Sequence, residues 1–155
     1  MSAETKAAFD EKYPAAKDVE WETRNDYLIV DFKQDKVEKE AWFDNSGTWY
    51  MTETDIPFAQ LPDAVKTAFQ QGEYSTWKVD DVDMIERRDV ETVYVIETEQ
   101  GNSEVDLYYS PDGILVKTVL DAGGNDGYED FIPFTAFLFR RCLCQRTLSF
   151  CRILI

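Results

Sequence analysis

Two stretches decide the fold: Lys39-Glu40-Ala41-Trp42-Phe43-Asp44-Asn45-Ser46-Gly47 and, sixty-six residues on, Val105-Asp106-Leu107-Tyr108-Tyr109-Ser110-Pro111-Asp112-Gly113. Acid matches acid at Glu40 and Asp106, an aromatic pair matches an aromatic pair, and a turn glycine closes both. The runs before them keep the same offset: Tyr27-Leu28-Ile29-Val30-Asp31-Phe32 against Val93-Tyr94-Val95-Ile96-Glu97-Thr98. Further upstream, Lys6-Ala7-Ala8-Phe9 matches Lys66-Thr67-Ala68-Phe69 at an offset of sixty. Agreement in order and spacing over a whole unit is the mark of an internal repeat.

Each unit opens with a short helix. Ser2 is placed to cap the first, which Pro14 closes; Pro62 reads as the first helical residue of the second, with Gly72 beyond its end. Four strands follow in each, over 18–22, 27–33, 37–44 and 48–54, then 77–87, 92–99, 104–109 and 114–120. β-Branched and aromatic residues dominate them. The links Asp44–Gly47 and Ser110–Gly113 are turn chemistry, and connections this short require antiparallel neighbours. The expected class is therefore α+β: two tandem helix-plus-four-stranded antiparallel meanders, forming a sheet with helices packed on one face. The units span residues 1–56 and 57–121, followed by a closing segment at 122–133 and an atypical tail at 134–155.

Strand alternation assigns the faces. With Leu28, Val30, Phe32, Ala41 and Phe43 toward a helix, Tyr27, Asp31, Glu40 and Trp42 point the other way, joined by Trp49 and Met51. In the second unit Tyr94, Ile96, Leu107 and Tyr109 go inward, while Glu97, Asp106 and Tyr108 go out. The expected protein-binding residues are thus Tyr27, Glu40, Trp42, Trp49, Glu97, Asp106 and Tyr108. An open face carrying Trp and Tyr among carboxylates has the composition of a recognition surface. Aromatics on such a face also stabilise cross-strand pairs, and the sequence does not choose between the two readings.

Charge and composition narrow the function. The chain of 155 residues carries a net charge of −15, unevenly spread. Residues 1–133 hold all 31 acids and 12 of the 16 basic residues, a net of −19. So acidic a body repels phosphate backbones, which argues against nucleic acid as a partner. Histidine is absent, removing the commonest general base and the commonest zinc ligand. The three cysteines, Cys142, Cys144 and Cys151, all lie in the tail. The segment Asp121–Gly127 superficially resembles a calcium loop, but aligning Gly127 with the invariant glycine puts Ala122 and Gly124 at ligand positions. No catalytic residue, metal ligand set or cofactor motif is assigned. With 31 acids, chance carboxylate pairs carry little weight for hydrolysis.

The segments Tyr13–Glu22, Lys39–Gly47, Leu61–Lys66 and Tyr108–Gly113, with a closing Tyr128–Pro133, resemble the PepSY-like, β-lactamase-inhibitor-like proteins of gut Bacteroidetes. The resemblance covers about residues 5–133. It implies the tandem-repeat sheet, an exported protein with a periplasmic or secreted home, and no catalytic residue, since the family has none established. The expected function is a non-enzymatic binding module for a protein of the cell envelope, inhibitor-like or folding-aid-like. The alternatives are a binder of small ligands or divalent cations, and behind it a carboxylate-dependent hydrolase. Two features depart from the pattern. The first residues lack the basic and apolar regions of an export signal. The tail 134–155 holds four Arg, no acid and 14 apolar residues of 22, and reads as out-of-frame or foreign sequence; its arginines argue against a membrane span.

Overall fold

The computed structural model describes residues 1–120. The closing segment and the tail lie outside the described residues. The described residues are α+β, with two α-helices and one sheet of eight antiparallel strands in sequence order. Helix α1 (Ala3–Lys12) precedes β1 (Lys17–Arg24), β2 (Tyr27–Gln34), β3 (Val37–Phe43) and β4 (Trp49–Asp55). A 3-10 turn (Phe58–Gln60) leads to α2 (Asp63–Gln71), β5 (Lys78–Arg87), β6 (Val90–Gln100), β7 (Ser103–Tyr109) and β8 (Leu115–Leu120). No described helix is long and apolar enough to cross a membrane.

Helix α1 starts where expected: the Ser2 hydroxyl accepts from the Thr5 N–H at 3.0 Å, satisfying an orphan donor of the first turn. Pro62 departs slightly from expectation. It is the N-cap of α2 rather than its first helical residue, with extended backbone at ψ 144°.

Both helices seat an apolar stripe on alternate sheet residues. Phe9 and Tyr13 cluster with Val30, Phe32, Ala41 and Phe43. Phe9 meets Phe32 edge-on at 5.1 Å, and the Tyr13 hydroxyl hydrogen-bonds Thr52. Val65 and Phe69 cluster with Ile56, Leu61, Val82, Ile96, Val105, Leu107 and Tyr109. The residues in between form a third cluster of Ile29, Trp42, Met51, Ile85, Val93, Val95 and Tyr108, with no helical member. A one-residue slip of any strand would exchange these sets, so the apolar pattern fixes the register. That register keeps Leu28 opposite Phe43 and, sixty-six residues later, Tyr94 opposite Tyr109. It is interrupted at matching places, between Trp42 and Phe43 and between Tyr108 and Tyr109.

The two glycine turns are locked to the helices. The Thr5 hydroxyl donates to the Asp44 carbonyl at 2.8 Å and the Ser2 hydroxyl to the Asn45 carbonyl at 2.7 Å. The Asp44 carboxylate accepts from the N–H groups of Ser46 and Thr48, both at 2.9 Å. Burial works against its charge, but these bonds and those from the Ser46 and Tyr50 hydroxyls hold Asp44 below the usual carboxylate range. Gly47 and Gly113 have φ of +83° and +81°. A Cβ on Gly113 would stand 2.5 Å from the Ala64 carbonyl oxygen of α2. Gly101 shares the left-handed backbone at +68° but has open space around it. We expect Gly113→Ala to cost about 3 kcal/mol or more in urea unfolding, and Gly101→Ala only about 1 kcal/mol. Equal losses would show that the turn does not bear on the helix.

Candidate functional site

The surface of interest is the face that carries Trp42. Antiparallel partners directly opposite one another share a face, and six such pairs on this one are acid against acid: Glu20–Asp31, Asp31–Glu40, Glu40–Glu53, Asp55–Asp83, Glu97–Asp106 and Glu99–Glu104. Like charges directly opposite are destabilising. The sheet can do otherwise, since Lys33 and Glu38 pair at 2.6 Å and Lys78 and Glu99 at 2.5 Å.

The proton equilibria register the crowding. Asp31 titrates above its ordinary value because of burial and then the charges of Glu22 and Glu20. Asp55 does so because of burial, Asp81 and Glu38. Asp83, only 4 % exposed, is pushed up to about 8 by burial and by Asp81, Glu97, Asp55 and Asp106. A cleft of about 480 Å³ opens beside the acidic row, lined by Asp18, Glu20, Asp31, Glu38, Glu40, Glu53 and Asp55 with Lys33, Lys39 and Phe32. No group of three potential metal ligands is gathered among the described residues.

Between these acids runs the apolar cluster. The Trp42 ring contacts Tyr27 at 5.7 Å and carries the Arg24 guanidinium at 5.5 Å, while its indole N–H donates to Glu40. Tyr50 meets Tyr27 edge-on at 5.4 Å. Lys117 stands 5.4 Å over the Tyr108 ring.

The structure thus brings together six of the seven expected site residues, Tyr27, Glu40, Trp42, Glu97, Asp106 and Tyr108, on one face. Their exposure differs from expectation. Tyr27, Glu40 and Glu97 are half-buried, whereas Trp42, Tyr108 and Asp106 are buried at 1 %, 0 % and 6 % exposure. Alternation selects a face but not a depth, and Trp42 lies mid-sheet between Ile29 and Met51. Trp49 is on the other face. A β-bulge leaves Tyr50 unmatched, so Trp49 pairs with Phe43 rather than continuing the alternation from Met51. Its indole donates to Thr52 at 2.8 Å and Lys12 of α1 covers its ring at 3.8 Å. Sequence reading missed Tyr50 and Asp83. The signal for Asp83 was its match to Asp55 across the join between β4 and β5, which no hairpin turn announces.

These features sit in a known family. The model described as "Putative beta-lactamase-inhibitor-like, PepSY-like" matches residues 25–117, and the chain belongs to that family. A BLIP-like protein of Bacteroides fragilis is 38% identical, with 81% of this chain and 89% of that one covered and a TM-score of 0.73. A DUF2874 family protein of Bacteroides ovatus is 31% identical over 88% and 96%, with a TM-score of 0.76. A Bacteroides eggerthii protein described as "putative periplasmic" shares the fold at 21% identity over 79% and 91%, with a TM-score of 0.77. No curated protein matches the chain.

Two outcomes follow. Trp42→Ala removes a buried side chain and should cost about 3–5 kcal/mol of stability; a loss under about 1 kcal/mol in urea unfolding would mean the ring is a surface group. Folded Asp83 holds its proton up to about pH 8, while an unfolded Asp releases it near about 3.9. Folding therefore takes up a proton between those values, and stability falls as pH rises across that window. Asp83→Asn should flatten the fall and raise stability at pH 8 by about 2 kcal/mol or more. An unchanged pH profile would show that Asp83 is ionised at neutrality.

Proposed function

We propose that the chain is a non-catalytic binding module of the cell envelope that engages a protein partner through the Trp42 face. The observation that carries this reading is the set of six acid–acid cross-strand pairs, which lie on one face among the described residues. A stability cost concentrated on one surface is expected where that surface does other work. In this reading the chain is two tandem helix-plus-four-strand units whose helices cover the face opposite Trp42. The shared offset of register and bulges and the alternation of the clusters support that organisation. The buried Trp42 and Tyr108 form the platform. Tyr27, Tyr50, Glu40 and Glu97 at its rim supply contacts, and the acid selects a cationic partner and speeds encounter. Inhibition is supported by the likeness to BLIP-like proteins, and an envelope home by that to the protein described as "putative periplasmic".

The test is affinity capture by the full chain from an envelope extract of its source. Variants Tyr27→Ser with Glu97→Gln, and Asp63→Asn on exposed α2 as control, run in parallel. The reading expects one protein retained by wild type and control and lost on the face variant. The same proteins on all three baits would overturn it. The acidic cleft favours one second reading, a divalent-cation binder. Calorimetry with calcium should then show saturable binding at or below about 1 mM; the protein-binding reading expects none.

A further inference from the structure

Among the described acids of the Trp42 face, Asp83 is the most deeply buried. It lies in mid-sheet on β5, opposite Asp55 of β4 and Val95 of β6. It is 4 % exposed, and its carboxyl makes no hydrogen bond or ion pair among the described residues. A buried carboxyl without a partner loses its solvation and gains nothing in return. Among the described residues the charged groups that face it are all acids: Asp81 on its own strand, Asp55 on β4, Glu97 on β6 and Asp106 on β7. The described cations of this face have other contacts, Arg24 over Trp42, Lys117 over Tyr108, Arg87 on the Glu91 carbonyl at 2.6 Å, Lys33 on Glu38 and Lys78 on Asp80 and Glu99. Asp55, opposite it, is exposed and lines the acidic cleft.

We infer that Asp83 and Asp55 form a seat for one guanidinium or ammonium side chain of the partner, which supplies the charge and the donors this position lacks. The inference rests on the binding-module reading and adds where the partner's cation lands. Two carboxyls from adjacent strands suit a forked donor, so arginine is the preferred occupant. Seating it ionises Asp83, so one proton leaves as the complex forms at neutral pH.

The test uses the full chain labelled with ¹³C at aspartate carboxyls and a hexapeptide, Gly-Gly-Arg-Arg-Gly-Gly, with its citrulline counterpart as the neutral isostere. At pH 7 saturating arginine peptide should move the Asp83 carboxyl resonance to its ionised position, and the citrulline peptide should leave it. Asp83→Asn and Asp55→Asn should each weaken the arginine peptide at least tenfold, with Asp63→Asn unchanged. An Asp83 that stays protonated, or equal losses in all three variants, would overturn the seat. An Asp83 already ionised in the full chain, and protonated once residues 134–155 are deleted, would assign the seat to the chain's own arginines and overturn a partner's. Capture that depends on Tyr27 and Glu97 but not on Asp83 would remove the seat while leaving the sheet face as the binding surface.

Discussion

Everything else in the molecule depends on the grip of two short helices on every second residue of the sheet. Phe9 and Tyr13 on one side of the chain's midpoint, and Val65 and Phe69 on the other, cluster with alternate side chains of β2, β3, β5, β6 and β7. Side chains alternate with period two, so that choice also fixes the opposite set. It places Ile29, Trp42, Met51, Val95 and Tyr108 in one apolar cluster and aligns acids across the strands beside them. The turns reinforce the choice. Gly47 and Gly113 lie so close to the first turns of the helices that strand, turn and helix cannot shift independently.

The face so created combines two opposed tendencies. Its apolar cluster stabilises the sheet, with burial worth roughly 1.5–3 kcal/mol for each large side chain. Its acids weaken it, through direct repulsion and through burial that raises Asp31, Asp55 and Asp83 above their ordinary range. Opposite charges at half of these sites would relieve the repulsion, as Lys33 and Lys78 do at the sheet's far end. The arrangement makes sense when a cationic partner completes it, because the same acids then change from a cost into a source of affinity and steering.

Much of the fold was legible because the turns are chemically explicit. Asn, Asp, Ser, Pro and Gly at 44–47 and 110–113 set the strand limits to within a residue or two, and the Ser2 cap set the start of α1. The face of Trp42 and Tyr108 was legible from alternation; their depth was not, because depth depends on neighbours such as Ile29 and Met51 that come from other strands. Trp49 was misplaced because a bulge is a local insertion into the pairing, and Trp49-Tyr50-Met51 reads as unbroken alternation. Asp83 was invisible as a site residue because its meeting with Asp55 is created by the long connection between β4 and β5.

The claim that these acids are held on the face against the stability of the fold is tested most directly by a double-mutant cycle on Asp55 and Asp83. Urea unfolding of wild type, Asp55→Asn, Asp83→Asn and the double variant at pH 9.5, where Asp83 is ionised in the folded chain, gives the coupling between the two. The account predicts an unfavourable coupling of about 1 kcal/mol or more, each neutralisation stabilising the protein most while the other charge remains. A coupling of zero, or one that favours the charged pair, would contradict it, because the acids would then be part of what holds the sheet together.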